Sequence, residues 1–208
     1  MLLEFAKGHG TRNDFVLFAD PDNLFDLTAE QVAFLCDRRS GIGGDGILRA
    51  VRANLVPEWT GADDIWFMDY RNADGSIAEM CGNGLRVFLR YLEEQGLVTG
   101  EQVRVATRAG MRTGRFLPDG RIAVTMGAAT MGGEVTVCLG VTSWPAVSVD
   151  VGNPHAVAEL GTAAELAALD LGTAPEWQPA EAFPRGVNVE FVVREGPGRL
   201  RLRVFERG

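Results

Sequence analysis

Apolar residues fall in short runs bounded by glycine, proline, asparagine and aspartate, and most runs are too brief for helices. Leu2–Ala6 and Phe15–Phe18 read as strands around a Gly-rich turn, Lys7–Asn13. Thr28-Ala-Glu-Gln31 is a capping box. It opens a helix with Val32, Leu35 and Cys36 on one face, ended by Gly41. Ile47–Val51 and Ile65–Tyr70 read as strands, and Asp74-Gly75-Ser76 as a turn. From Gly82 to Gln95 the period changes: Leu85, Phe88, Leu89 and Leu92 recur at helical spacing, widened by Val87 and Tyr91. A helix with so broad an apolar surface is buried on more than one side. Val103–Ala106, Arg112–Phe116 and Arg121–Thr125 are strands, the last two joined through Pro118-Asp119-Gly120. Further strands are expected near Val135–Val137, at Ala146–Val151, Val187–Val193 and Arg199–Phe205, the last pair joined by Gly196-Pro197-Gly198. A second capping box, Thr162-Ala-Ala-Glu165, starts a short helix to about Asp170. The first half therefore carries a long buried helix and the second half none.

The 208 residues hold 20 Lys and Arg against 28 Asp and Glu, a net charge of −8. That balance, without a basic cluster, argues against nucleic acid as a partner. No apolar run approaches the ~18 residues of a membrane span, and the first ten residues lack the pattern of a secretory signal. The three cysteines, Cys36, Cys81 and Cys138, are too sparse for a disulfide framework, and a cytoplasmic location is expected. With only two histidines, His9 and His155, no Cys/His zinc pattern can be built. Glycine is the outlier at 26 residues, concentrated where backbone must turn tightly or approach a ligand.

Gly41-Ile-Gly43-Gly-Asp-Gly46 matches a dinucleotide-binding fingerprint letter for letter. A helix precedes it and a strand follows, the reverse of the order that chemistry needs, so it reads as a tight helix-to-strand connection. The strongest chemical signal is Glu79-Met-Cys81-Gly82-Asn83-Gly84 at the start of the long helix. Backbone N–H groups of a first turn point outward without acceptors. The positive end of the helix favours a thiolate at Cys81, and the same N–H groups can hold a carboxylate. Cys36 and Cys138 read as structural. Asn13, Asn153 and Asn188 each stand in turn contexts. With Asn72 and Asn83 they make a set of short amides suited to a polar zwitterion. His155, after Pro154, is a surface histidine or a group near the thiol.

The stretches that contain these residues resemble the diaminopimelate epimerase family over nearly the whole chain. They are Ala6–Phe15, Asp37–Gly46, Met68–Ser76, Glu79–Gly84, Val151–His155, Gly186–Glu190 and Val204–Gly208. Lys7-Gly-His-Gly10 and Asp69-Tyr-Arg-Asn72 resemble the actinobacterial branch. The resemblance implies an α/β (α+β) fold of two pseudo-symmetric lobes, each a sheet wrapped around a central helix. Residues 1–118 would form the N-terminal lobe with Cys81. Residues 119–208 would form an incomplete C-terminal lobe lacking its central helix. It also implies a cofactor-independent isomerase that interconverts LL- and meso-2,6-diaminopimelate by α-proton transfer between two cysteines, with no pyridoxal phosphate and no metal. Cys81 would be one of the two. Asn13, Asn72, Gly82, Asn83, Asn153, Asn188, Glu206 and Arg207 would bind the substrate, and His155 and Glu206 would tune the cysteines. The family's second cysteine follows its Glu-Arg-Gly string, so the 208 residues are expected to be inactive by themselves. A homodimer is the assembly implied. Another isomerase of the same fold, of proline racemase or phenazine-pathway type, and a non-catalytic remnant are the alternatives.

Overall fold

The segments fold into two units, Met1–Met126 and Gly127–Gly208. The computed structural model describes residues 3–62, 64–184 and 186–206. In the first unit seven strands form a mixed sheet in chain order: β1 (Ala6–Gly10), β2 (Asn13–Ala19), β3 (Gly46–Arg52), β4 (Trp66–Asn72), β5 (Gln102–Thr107), β6 (Gly110–Phe116) and β7 (Ile122–Val124). The β2–β3 and β4–β5 pairs are parallel and need crossovers, which α1 (Ala29–Cys36) and α2 (Gly82–Glu94) supply.

Strand alternation divides the side chains between two faces. Phe15, Leu17, Leu48, Met68 and Tyr70 face α2, where they meet Leu85, Phe88, Leu89 and Leu92. Each such side chain contributes about 1.5–3 kcal/mol when fully buried. α2 touches both edge strands, β1 and β7, so the sheet curls around it. Val16, Phe18 and Ile47 point the other way, against Val32 and Cys36 of α1. On that face β3 and β4 also carry a buried ionic group. Arg49 binds Asp20 at 2.9 Å and Asp69 at 2.9 Å, and Arg108 reaches Asp69 at 2.7 Å. Burial pushes the Asp69 carboxyl up, but Arg108, Arg49 and Arg71 outweigh it and hold the group below its ordinary value.

Two sequence expectations shift by a few residues. The first strand is Ala6–Gly10 rather than Leu2–Ala6 (Leu2 lies outside the described residues), so most of the expected turn is strand. Gly8 and Gly10 belong in that strand because a Cβ there would stand 3.0 Å from Val87 Cγ1 and 3.0 Å from the Asn83 carbonyl oxygen. The first helix ends at Cys36, before Gly41. The Gly-rich segment then folds back on it: the N–H groups of Ile42 and Gly43 bond the Leu35 carbonyl, and that of Gly44 the Cys36 carbonyl. These bonds satisfy helix-end acceptors and make the segment a tight connection.

The second unit has β8 (Thr130–Leu139), β9 (Thr142–Asp150), β10 (Pro154–Glu159), α3 (Ala163–Ala168), β11 (Glu176–Gln178), β12 (Asn188–Gly196) and β13 (Arg199–Phe205). The sheet order is β11-β8-β9-β10-β12-β13, with β10 and β12 parallel. Among the described residues of this unit α3 is the one α-helix. It covers the face bearing Val137, Trp144, Ala156, Ala158, Val189 and Phe191. The opposite face carries His155 and Val157 of β10, Asn188, Glu190 and Val192 of β12, and Leu202 and Val204 of β13. β10 was not expected from the sequence: its inward residues are two alanines, a weak apolar signal, and it opens on a proline.

Candidate active site

Cys81 is the N-cap residue of α2, with extended backbone at φ −142°, ψ 121°. The Gly84 N–H donates to its Sγ at 3.3 Å, and the Leu85 N–H to its carbonyl at 2.8 Å. The N–H groups of Gly82 and Asn83 have no intrahelical acceptor. Gly84 lets this turn lie on the sheet, since a Cβ would already touch Phe15 and Leu48 at 3.4 Å. At Gly82 a Cβ would come within 2.9 Å of the Met126 sulfur. The Asn83 side-chain oxygen accepts from Arg86, one turn along.

The β1–β2 turn lies against this helix end. Its two central residues, Thr11 and Arg12, are left-handed at φ 53° and 72°, each costing about 1–3 kcal/mol for a residue with a Cβ. The turn delivers Asn13, which pairs with Gly10 and so shares the α2 face. Asn13 Oδ1 is buried with no hydrogen-bond partner, a cost of about 1–3 kcal/mol that a ligand N–H would remove. Asn72 ends β4 on the same face as Tyr70, and its Nδ2 donates to Ser76 Oγ at 3.0 Å. Cys81, Gly82, Asn83 and Asn13 thus gather at one end of α2. Cys36 does not join them. It is buried on the opposite face of the sheet, and burial, with Asp14 and Asp45 adding to it, pushes its thiol up to about 11. Cys138 is in the second unit, half-buried on β8 opposite Ser143 and Glu176.

In the second unit His155 stands in register with the buried Asn188. Its Nδ1 lies 2.6 Å from Glu190 Oε1 and its Nε2 2.8 Å from Asn153 Oδ1. Glu206 directly follows β13, while Arg207 lies outside the described residues. Glu190 and Arg86 were not singled out from the sequence. Glu190 had a legible signal, because in a strand the residue two beyond Asn188 shares its face. Among the described residues no group of three His, Cys, Asp or Glu side chains is placed to hold a metal ion.

The two mixed sheets, with few helices, give the chain a fold that several solved structures share. A hydroxyproline epimerase from Agrobacterium vitis superposes with a TM-score of 0.63 at 13% identity, over 97% of this chain and 69% of that one. A phenazine biosynthesis protein of the PhzF family from Bacillus anthracis gives 0.60 at 12% identity, over 97% and 70%. Identities this low speak for the fold alone.

The family is narrower. The diaminopimelate epimerase family model matches residues 5–132. The diaminopimelate epimerase of Streptomyces coelicolor is 52% identical over 99% of this chain and 72% of its own length. Those of Thermobifida fusca and Corynebacterium glutamicum are 49% and 42% identical, each over 76% of its length. The chain belongs to the diaminopimelate epimerase family, and is an isomerase of that fold.

Proposed function

We propose that the protein epimerises 2,6-diaminopimelate, a step of lysine and cell-wall precursor synthesis, by α-proton transfer at cysteine and without pyridoxal phosphate or metal. The observation that carries this reading is Cys81 at the N-cap of α2 with a backbone N–H aimed at its sulfur. N–H donation and the helix end stabilise the thiolate over the thiol. The thiolate takes the α-proton: the C–H bond breaks, an S–H bond forms, and the electron pair spreads into the substrate carboxylate. That proton is very weakly acidic, so the developing dianion needs fixed donors and excluded water. The N–H groups of Gly82 and Asn83 suit that task. Asn13, Asn72, Gly82, Asn83, Asn153, Asn188, Glu206 and Arg207 bind the substrate, and His155 and Glu206 tune the thiols, as the family resemblance implies.

Inversion also needs a second acid on the opposite face of the α-carbon. Cys36 does not serve, being buried on the far face of its sheet. We further propose a cytoplasmic location, where three sparse cysteines stay reduced. We also propose a homodimer, to be checked by sedimentation.

The test is α-proton exchange in heavy water. The protein as expressed from its gene exchanges the α-proton of diaminopimelate, and Cys81→Ala abolishes exchange. No exchange with Cys81 intact refutes the activity. Exchange of proline instead marks a proline racemase type, and calorimetric binding of diaminopimelate without exchange marks a non-catalytic remnant.

A further inference from the structure

The imidazole of His155 is gripped at both nitrogens, by Glu190 Oε1 at 2.6 Å and Asn153 Oδ1 at 2.8 Å. A carboxylate only accepts, so Nδ1 carries a hydrogen. The sheet builds this contact. β10 and β12 run parallel with His155 opposite Asn188 and Val157 opposite Glu190, which sets Glu190 one diagonal step from the ring on the same face. The two side chains are only 22% and 18% exposed, and the second carboxylate oxygen, Glu190 Oε2, is buried with no partner. Such a carboxylate is costly to keep, unlike a solvated surface acid. The nearby charges are otherwise engaged: Glu159 binds Arg194 at 2.8 Å, and Asp150 accepts from the Gly152 N–H at 2.7 Å.

We propose that Glu190 is a positioning residue for His155. It fixes the plane of the ring and keeps the hydrogen on Nδ1, so that Nε2 is the nitrogen that exchanges a proton. When Nε2 gives up its proton to a base, the N–H electron pair stays on the ring nitrogen. The Nδ1–H stays on Glu190, and the Asn153 amide turns its NH₂ toward the bare nitrogen. The assignment rests on the reading of His155 as a residue that tunes the thiols.

Histidine-selective ¹⁵N NMR tests it directly. Only two histidines occur in the chain, and His9→Gln assigns the signals. In its neutral form, His155 of the wild type is expected as the Nδ1–H tautomer. Glu190→Leu inverts it to Nε2–H. Glu190→Gln, which keeps the size and presents a donor as readily as an acceptor, gives a mixture and carries the test if the leucine variant does not fold. Equal tautomer fractions in the wild type and Glu190→Gln, or an Nε2–H wild type, overturn the proposal. In the same variants α-proton exchange of diaminopimelate falls about 10²-fold in kcat, with little change in KM. Inverted tautomers with undiminished exchange also overturn the positioning role. An inactive wild type whose tautomer still depends on Glu190 refutes the epimerase reading and leaves the His155–Glu190 pair standing.

Discussion

Replacing Asp69 by asparagine tests whether the first unit depends on its buried charges. Asp69 is 3% exposed and is the shared anion of three arginines. Arg49 reaches it through Nε at 3.0 Å and Nη2 at 2.9 Å, Arg71 through Nε at 3.2 Å, and Arg108 through Nη2 at 2.7 Å. Asparagine keeps the volume, so no cavity forms. It removes the charge and turns an NH₂ toward groups that are themselves donors. Arg49 is 8% exposed and would keep only Asp20 as a counter-charge. Breaking a buried ion pair from one side costs about 3–5 kcal/mol, against a total domain stability of about 5–15 kcal/mol. The unfolding midpoint should fall by roughly 10–20 °C. Thermal and urea unfolding followed by circular dichroism measures it, with Asp119→Asn as the exposed control. Asp119 pairs with Arg121 in solvent, where removal should leave the midpoint in place. The pH dependence adds a sign. The Asp69 carboxyl is held below its ordinary value in the folded protein. Its contribution is therefore complete above the unfolded value of about 3.9 and is lost as pH falls through the folded one. The gap between wild type and Asp69→Asn must narrow as the solution is made more acid than that. Equal shifts for Asp69→Asn and Asp119→Asn, or a gap that does not change with acid, would refute the reasoning.

Two further outcomes concern single sites. With the Cys36 thiol pushed up to about 11, only about one molecule in a thousand carries the thiolate at pH 8. Iodoacetamide followed by peptide mapping should therefore label Cys81 and leave Cys36 intact until the protein is unfolded; equal labelling contradicts the burial argument. Gly46→Ala should destabilise the first unit by about 1–3 kcal/mol, because the new Cβ would stand 2.5 Å from the Arg71 carbonyl oxygen and 2.9 Å from Tyr70 Cε2. An unchanged urea midpoint would show that β3 and β4 can part at that point.

The helices were readable because each announces itself locally. Thr28 and Gln31 form the full capping box, while at Thr162 the hydroxyl accepts from the Glu165 N–H but the Glu165 carboxylate accepts from Gly161 and Trp144 instead, and the apolar surface of α2 is buried on every position that its spacing marked. β10 escaped because Ala156 and Ala158 give little periodic signal, and β11 because three residues, Glu176–Gln178, pair only with β8. The exchange of turn for strand at Lys7–Gly10 has a different cause. Glycine there answers to the close approach of Val87 and Asn83, a tertiary contact that no local pattern contains. The site divides in the same way. Cys81, Gly82 and Asn83 adjoin in sequence and could be read together. The Glu190–His155 contact spans 35 residues and depends on a parallel register that only the folded sheet supplies.

The start of α2 is where this chain stops following its own rules. Among the described residues the other two α-helices are capped by threonine, but α2 is capped by cysteine, which is absent from the strongly preferred N-cap residues. Beside it the β1–β2 turn uses Thr11 and Arg12 in left-handed backbone, where Asn-Gly is the favoured pair, and Asn13 Oδ1 is left buried without a donor. Local costs gathered at this helix end mark a place selected for something other than stability. That claim separates stability from activity. Cys81→Ser supplies a better cap and should hold the unfolding free energy or raise it by up to about 1 kcal/mol, while α-proton exchange disappears. Replacing Thr11 and Arg12 by Asn and Gly should stabilise the first unit by about 1–3 kcal/mol by relieving the backbone strain. If Cys81→Ser instead destabilises the fold by more than it would gain as a cap, the cysteine is there to pack, and the concentration of broken rules at this helix end has no functional meaning.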